Sequence, residues 1–360
     1  MKKYFIYQIK KNILPLSILA LLCIIAYVLP VSVRNYSTWN AGEFIGHDGQ
    51  YYQVNYTELY TTNIIIVLGV MSGLTPIYMF AYKMNRRSVD MYYSLPLSKT
   101  KILIVHFAVG FLGVIAAFTL SYWLGVIVTA VKVRRLAYIN FLWIYLACII
   151  PAFTIYSTVS FLYTRANSMI DGIIFAAAGF LYLAMPFFAL ESAVNEIVLR
   201  PLTLEGLGFT PAGSLISIAS VLGDRLYRQP NYWDFDFAGV GWRAMSSLSY
   251  LLGRIICTLL SIGAAVALIL TEKDGKAENC LQISQSVFGF KIAIPLNLIC
   301  LGVILESSLP VLCALAFAAF IATVVWKRTI KIGKRQAILL AIYIAVAVTA
   351  SLAIHIPSYY

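Results

Sequence analysis

Charge is what this sequence has least of. Asp, Glu, Lys and Arg together make up 12% of 360 residues, about half the share expected of a soluble domain. Apolar residues make up 61%, so there is too little polar surface for an ordinary water-soluble fold. Histidine is scarce too: His47, His106 and His355 are too scattered to form a ligand set. The six cysteines, at positions 23, 148, 257, 280, 300 and 313, follow no metal-ligand spacing. Five of them fall inside apolar runs, where cysteine behaves as a small hydrophobe. A disulfide framework and a zinc site are therefore not expected, and no cofactor or metal is called for.

Motifs of catalysis are missing as well. No GxxxxGK[ST] phosphate loop occurs. Its nearest look-alike, DGKAENC at 274–280, lacks the glycine-rich cradle and the hydroxyl that would meet magnesium. Hydrolase elbows and HExxH zinc helices are also absent, so nothing argues for an enzyme.

What is present is a series of apolar runs at 13–33, 62–82, 102–131, 139–163, 170–190, 248–271, 287–305, 310–326 and 336–356. A helix rises 1.5 Å per residue, so about 20 such residues cross roughly 30 Å of hydrocarbon. Spanning strands would instead read as ~10-residue alternating segments. The expected fold is an all-α, polytopic membrane protein of about nine transmembrane helices, with eight to ten compatible with the pattern. The lysines of residues 1–11 look like the start of a signal peptide, but no small-residue cleavage site follows, so a retained first helix is expected.

The net charge of +12 comes from short basic clusters beside the apolar runs, as in cytoplasmic loops. It speaks for orientation and anionic lipid headgroups rather than nucleic acid. With the N-terminus inside, 17 Lys and Arg lie on the cytoplasmic side and 8 outside. The cluster Lys132, Arg134 and Arg135 runs against this tendency. A non-crossing third run would reverse the parity downstream, but 102–131 carries no formal charge and is long enough to cross with tilt.

In this arrangement 34–61 is a polar, tyrosine-rich outer loop. Residues 191–247 form a large outer loop, within which 206–223 is expected to be an interfacial or re-entrant helix. Residues 83–101 and 272–286 are cytoplasmic. No internal repeat is visible. Of the few ionisable residues in or near the runs, Asp171, Lys291 and Glu306 are expected to snorkel from span ends. Arg254 is expected to snorkel or to pair with an acid, and Arg165 and His106 complete the set.

The most informative stretch is KMNRRSVDMYYSLPLSKTKILIVHFAVG at 83–110. Charges, aromatics and a proline stop predict a short amphipathic helix at the membrane face, ending near Pro96. A basic pair, an acid, an aromatic run and S-L-P ahead of a small polar and a basic residue resemble the ABC-2 type permeases common in Gram-positive bacteria. The matching positions are Arg86, Arg87, Ser88, Asp90, Tyr93, Ser94, Leu95, Pro96, Ser98 and Lys99. TEKDGKAENCLQISQSVFGFKI, beginning at residue 271, resembles more loosely that family's charged loop with a central glutamate, here Glu278. WKRTIKIGKRQ, beginning at residue 326, is similar to its basic connector before the last helix.

The resemblance implies an ABC-2-like helix bundle that acts as the permease of an exporter. Its partners would be a separate ABC ATPase subunit, a second permease subunit, identical or paralogous, and the bacterial plasma membrane. ATPase coupling would fall to Arg86, Arg87, Ser88, Asp90, Tyr93, Leu95, Pro96, Lys99 and Glu278, with Tyr93 and Leu95 as the apolar anchors. The rival reading is a secondary transporter or a non-transporting scaffold. A secondary transporter should show mid-span acids or paired broken helices, and neither is evident.

Overall fold

The computed structural model describes residues 2–33, 38–45, 51–57, 62–132, 138–177, 228–230 and 248–272, with isolated positions at 286, 291–292, 296, 317, 320–321, 324, 337–338, 341–342, 344–346 and 349. These residues are predominantly helical. In chain order they form α1 (Lys2–Val33), α2 (Thr62–Phe80), a 3-10 turn at Ala81–Met84, α3 (Arg86–Tyr93), α4 (Lys99–Lys132), α5 (Tyr138–Thr164), a helix over 169–177, and α6 (Leu248–Thr271). Isolated helical positions fall in each of the last three apolar runs. The interfacial segment 206–223 lies outside the described residues.

Two of the helices, over Lys2–Ser32 and Lys99–Val131, are long and apolar enough to cross a membrane. With 32 and 34 residues, α1 and α4 are each roughly 50 Å long. The basic residues of 1–11 continue α1 instead of preceding it. Pro15 and Pro30 lie inside α1, Pro76 inside α2 and Pro151 inside α5, and none of them ends its helix.

α2 packs against α1, α4 and α5; α1 runs along α4, and α6 lies on α5. The core between them is aromatic. Phe80, Phe118, Tyr122, Tyr156, Tyr163 and Phe175 are almost fully buried. The Phe118 and Tyr145 rings stack with centroids 5.4 Å apart, and Tyr122 and Trp123 pack beside them. The Tyr156 hydroxyl donates to the carbonyl of Phe107 at 2.9 Å, joining α5 to α4. Tyr156→Phe keeps the ring against Phe107 and Phe111 and removes the hydroxyl that makes this bond. A loss of about 0.6–1.7 kcal/mol, the usual worth of such a bond between membrane helices, is expected in reversible unfolding of the detergent-solubilised chain.

Between the helices lies an element that the polar, tyrosine-rich composition of 34–61 did not announce. β1 (Thr38–Ile45), β2 (Tyr51–Thr57) and β3 (Arg228–Pro230) form a three-stranded antiparallel sheet in that order. A bulge between Asn40 and Glu43 interrupts the β1–β2 register. β3 brings the segment after residue 191 beside the segment between α1 and α2.

Candidate functional site

Local chemistry accounts for α3. Asn85 caps its start, the side-chain oxygen accepting the N–H of Arg87 at 3.1 Å. Its end is set by Pro96, whose ring disfavours helical geometry at Leu95. Helical hydrogen bonding stops at Ser94, and α4 starts at Lys99 with the Ser98 carbonyl accepting from Lys101 and Ile102. The sequence therefore predicts both the short helix and its limit within a few residues. Val89 and Tyr92, three residues apart and so on one face, are buried, whereas Arg86, Arg87, Asp90 and Met91 are exposed.

The buried face of α3 rests on the ends of other helices. Lys11 of α1 donates to the Tyr92 hydroxyl at 2.5 Å, and its ammonium lies 5.1 Å from the ring centre. The Tyr92 ring lies 4.8 Å from Tyr82 and 5.3 Å from His106 of α4. Nδ1 of His106 is 2.9 Å from the Ile102 carbonyl; a carbonyl can only accept, so this nitrogen carries the proton. On α1, Tyr4, Gln8 and Asn12 follow one another at four-residue spacing, a stripe along one side of the helix. Gln8 donates to Tyr4 at 2.9 Å, Asn12 donates to the Gln8 carbonyl at 2.8 Å, and Tyr78 of α2 donates to Asn12 at 3.2 Å.

A second set of contacts closes the other side. Glu272, directly after α6, is fully buried and pairs through Oε2 with Lys83 of the 3-10 turn. Its Oε1 accepts from the Tyr93 hydroxyl at 3.4 Å. Lys99 lies over the Tyr93 ring, 4.7 Å from its centre. Both terminal nitrogens of Arg165, just beyond α5, approach the Thr271 carbonyl at 3.4 Å. A helix ends with its carbonyls exposed and a partial negative charge. Arg165 suits that position, and a buried carboxylate such as Glu272 needs a cation beside it. Burial pushes the Lys83 ammonium below its ordinary range, against the pull of Glu272. Burial, reinforced by the charge of Glu272, pushes the Tyr93 phenol well above its own.

The residues singled out from the sequence divide between two sides. Arg86, Arg87, Asp90, Leu95, Pro96 and Lys99 are exposed and Ser88 is half-buried. Tyr93 is also half-buried and turns inward onto Glu272. Glu278 lies outside the described residues, as do Glu306 and the side chain of Arg254. Met91, which the sequence reading passed over, is 55% exposed against 37% for Leu95. Tyr92, Lys83 and Glu272 were passed over as well. The i,i+3 spacing from Val89 could have marked Tyr92; nothing local marks a pair separated by 189 positions.

One expectation is corrected. Asp171, assigned to a snorkelling span end, is 2% exposed. It sits in the first turn of the helix over 169–177, its N–H donating to Ser168 Oγ at 3.3 Å. The positive end of that helix suits an acid. Lys291 is exposed, as expected. Among the described residues no three His, Cys, Asp or Glu side chains gather into a metal site.

The arrangement is thus a short helix whose inner face and one end are fastened to the bundle and whose outer face is open. Comparison with protein-family models, with curated proteins and with solved structures finds no match, so what this site can do rests on its own geometry.

Proposed function

We propose that the chain is the multi-pass permease subunit of an ABC transporter in a bacterial plasma membrane, an exporter driven by ATP hydrolysis on a separate subunit. The observation that carries this reading is α3: a capped two-turn helix held by the ends of α1, α4 and α6, with Arg86, Arg87, Asp90, Met91 and Leu95 exposed. A partner's groove can receive such a face, the apolar pair supplying the anchors and the arginines the rim. Closure of the ATPase on ATP would then push α3, and the bundle would convert the push into helix tilting, a coupling between distant sites. A second permease subunit completes the assembly.

In this reading the chain has about nine spans and a cytoplasmic N-terminus, and three further features support spans that alternate in direction within a membrane. The C-terminal ends of α2, α5 and α6 and the N-terminal end of α4 meet around Lys83 and Glu272, as alternating spans require. Both long connecting segments meet in the sheet, as two loops on one side of a membrane can. Large apolar side chains such as Leu14, Val131 and Ile170 are more than half exposed, which suits lipid rather than water.

The test is co-expression with the cognate ATPase subunit. The two should co-purify and hydrolyse ATP, and the chain alone should not; hydrolysis by the isolated chain would sink the proposal. Met91→Ala combined with Leu95→Ala should weaken association by about 1–4 kcal/mol, the usual cost of truncating interface anchors. Lys99→Ala should do less and depend on salt. Undiminished assembly in the double variant would leave α3 as a mere connector between spans.

A further inference from the structure

A buried carboxylate at the end of a helix is a poor choice for stability alone. The helix carbonyls repel it, and a well-packed apolar residue does as well or better. Glu272 nevertheless stands fully buried after α6, and its two oxygens go to different places. Oε2 takes Lys83, which lies just before α3, and Oε1 takes Tyr93, the last residue of α3. One carboxylate therefore holds the last residue of α3 and the turn that leads into its first. We infer that Glu272 is the positioning residue that fastens α3 to the C-terminal end of α6, so that a displacement of α3 is delivered to α6.

The covalent connections of α3 are less direct. Toward α4 the chain passes through Ser94–Ser98, which is not helical, so the two helices are joined less by the backbone than by the packing of Tyr92 on His106 and of Lys99 over Tyr93. Toward α2 it passes through the 3-10 turn that bears Lys83, and that turn is itself held by Glu272. Parting Lys83 from Glu272 would leave charges in a poorly solvated site, a strongly unfavourable state; moving the clasped parts together avoids it. Arg165, bonded to the Thr271 carbonyl, ties the end of α6 to the end of α5. These two helices would then respond as a pair, while α1 meets α3 through the bond from Lys11 to Tyr92. As a step in transport this rests on the permease reading; as a mechanical tie it does not.

Glutamine is nearly the same shape as glutamate but offers one acceptor oxygen, so it cannot accept from Lys83 and Tyr93 through separate atoms. The full chain, with its cysteines replaced, is placed in phosphatidylglycerol-containing nanodiscs and spin-labelled at Arg87→Cys on α3 and Leu270→Cys on α6, both exposed positions. Pulsed EPR should give one narrow distance distribution. Glu272→Gln should add a second, broad population. Exchanging the charges, Lys83→Glu with Glu272→Lys, should remove it, a rescue that loss of packing does not predict. Tyr93→Phe, which keeps the ring and the ion pair, should broaden the distribution less. Should Glu272→Gln fail to fold, Tyr93→Phe still decides. An unchanged distribution in Glu272→Gln, or in Tyr93→Phe where that variant stands alone, overturns the inference. Co-purification of Glu272→Gln with the ATPase should persist, because the outer face of α3 is untouched. If even the unaltered chain fails to co-purify, the permease reading falls while the distance measurement still decides the tie.

Discussion

Lys83→Met is expected to cost the folded chain about 3–5 kcal/mol, because it removes the cation and leaves the Glu272 carboxylate buried without it. The loss should appear as a lowered unfolding midpoint of the purified chain in detergent. Removing both charges, Lys83→Met with Glu272→Leu, should cost much less than Lys83→Met alone, since two apolar side chains of similar volume need no desolvated charge between them. A double variant as unstable as the single one would mean that the pair contributes through shape and not through charge. The contrast separates stability from positioning: the apolar pair can hold the ends of α2 and α6 together, but it gives Tyr93 no acceptor.

Gly125→Leu should be the other strongly damaging change. α1 and α4 approach closely along their length, and at Gly125 the first atom of any side chain would lie 2.1 Å from a carbon of the Tyr27 ring. Tyr27 is 2% exposed and packed in the core, so it has nowhere to turn. Overpacking of this kind costs typically about 1–3 kcal/mol and sometimes more, which outweighs the roughly 1 kcal/mol that leucine gains over glycine as a helix former. Gly113 makes a useful comparison. A methyl there would meet the end of the Leu16 side chain at 2.6 Å, and Leu16 is only partly buried, so its terminal methyls can turn aside at little cost. Gly113→Ala should therefore be close to neutral in the same unfolding measurement. Equal effects at the two positions would contradict the packing of α1 on α4.

The first of these predictions concerns how α3 is held, and so bears on its proposed role. A docking helix that floats on the membrane face transmits little. The Lys11–Tyr92 bond and the Glu272 clasp give α3 two anchorages on different helices, so a partner pushing on Met91 and Leu95 would meet a lever instead of a loose loop.

The apolar runs alone determined that the described residues are predominantly helical and include helices long and apolar enough to cross a membrane. A helix satisfies its backbone hydrogen bonds within its own segment, so a long run without charge is sufficient information. Thus 62–82, 102–131, 139–163 and 248–271 reappear as α2, α4, α5 and α6 with ends shifted by only a few residues. The end of α3 was legible for a similar reason, since Pro96 acts on its immediate neighbour, whereas the Asn85 cap was read only from the structure. What only the tertiary structure decided are the meetings of parts far apart in the chain. Lys83 finds Glu272 across 189 positions, Lys11 finds Tyr92 across 81, and β3 joins a sheet begun near residue 38. Tyr93, an anchor by composition, turns inward because that carboxylate waits there, and Asp171 is buried at a helix start instead of reaching outward. Charge and polarity in a sequence say that a side chain needs a partner or water, but which of these it gets depends on how helices pack.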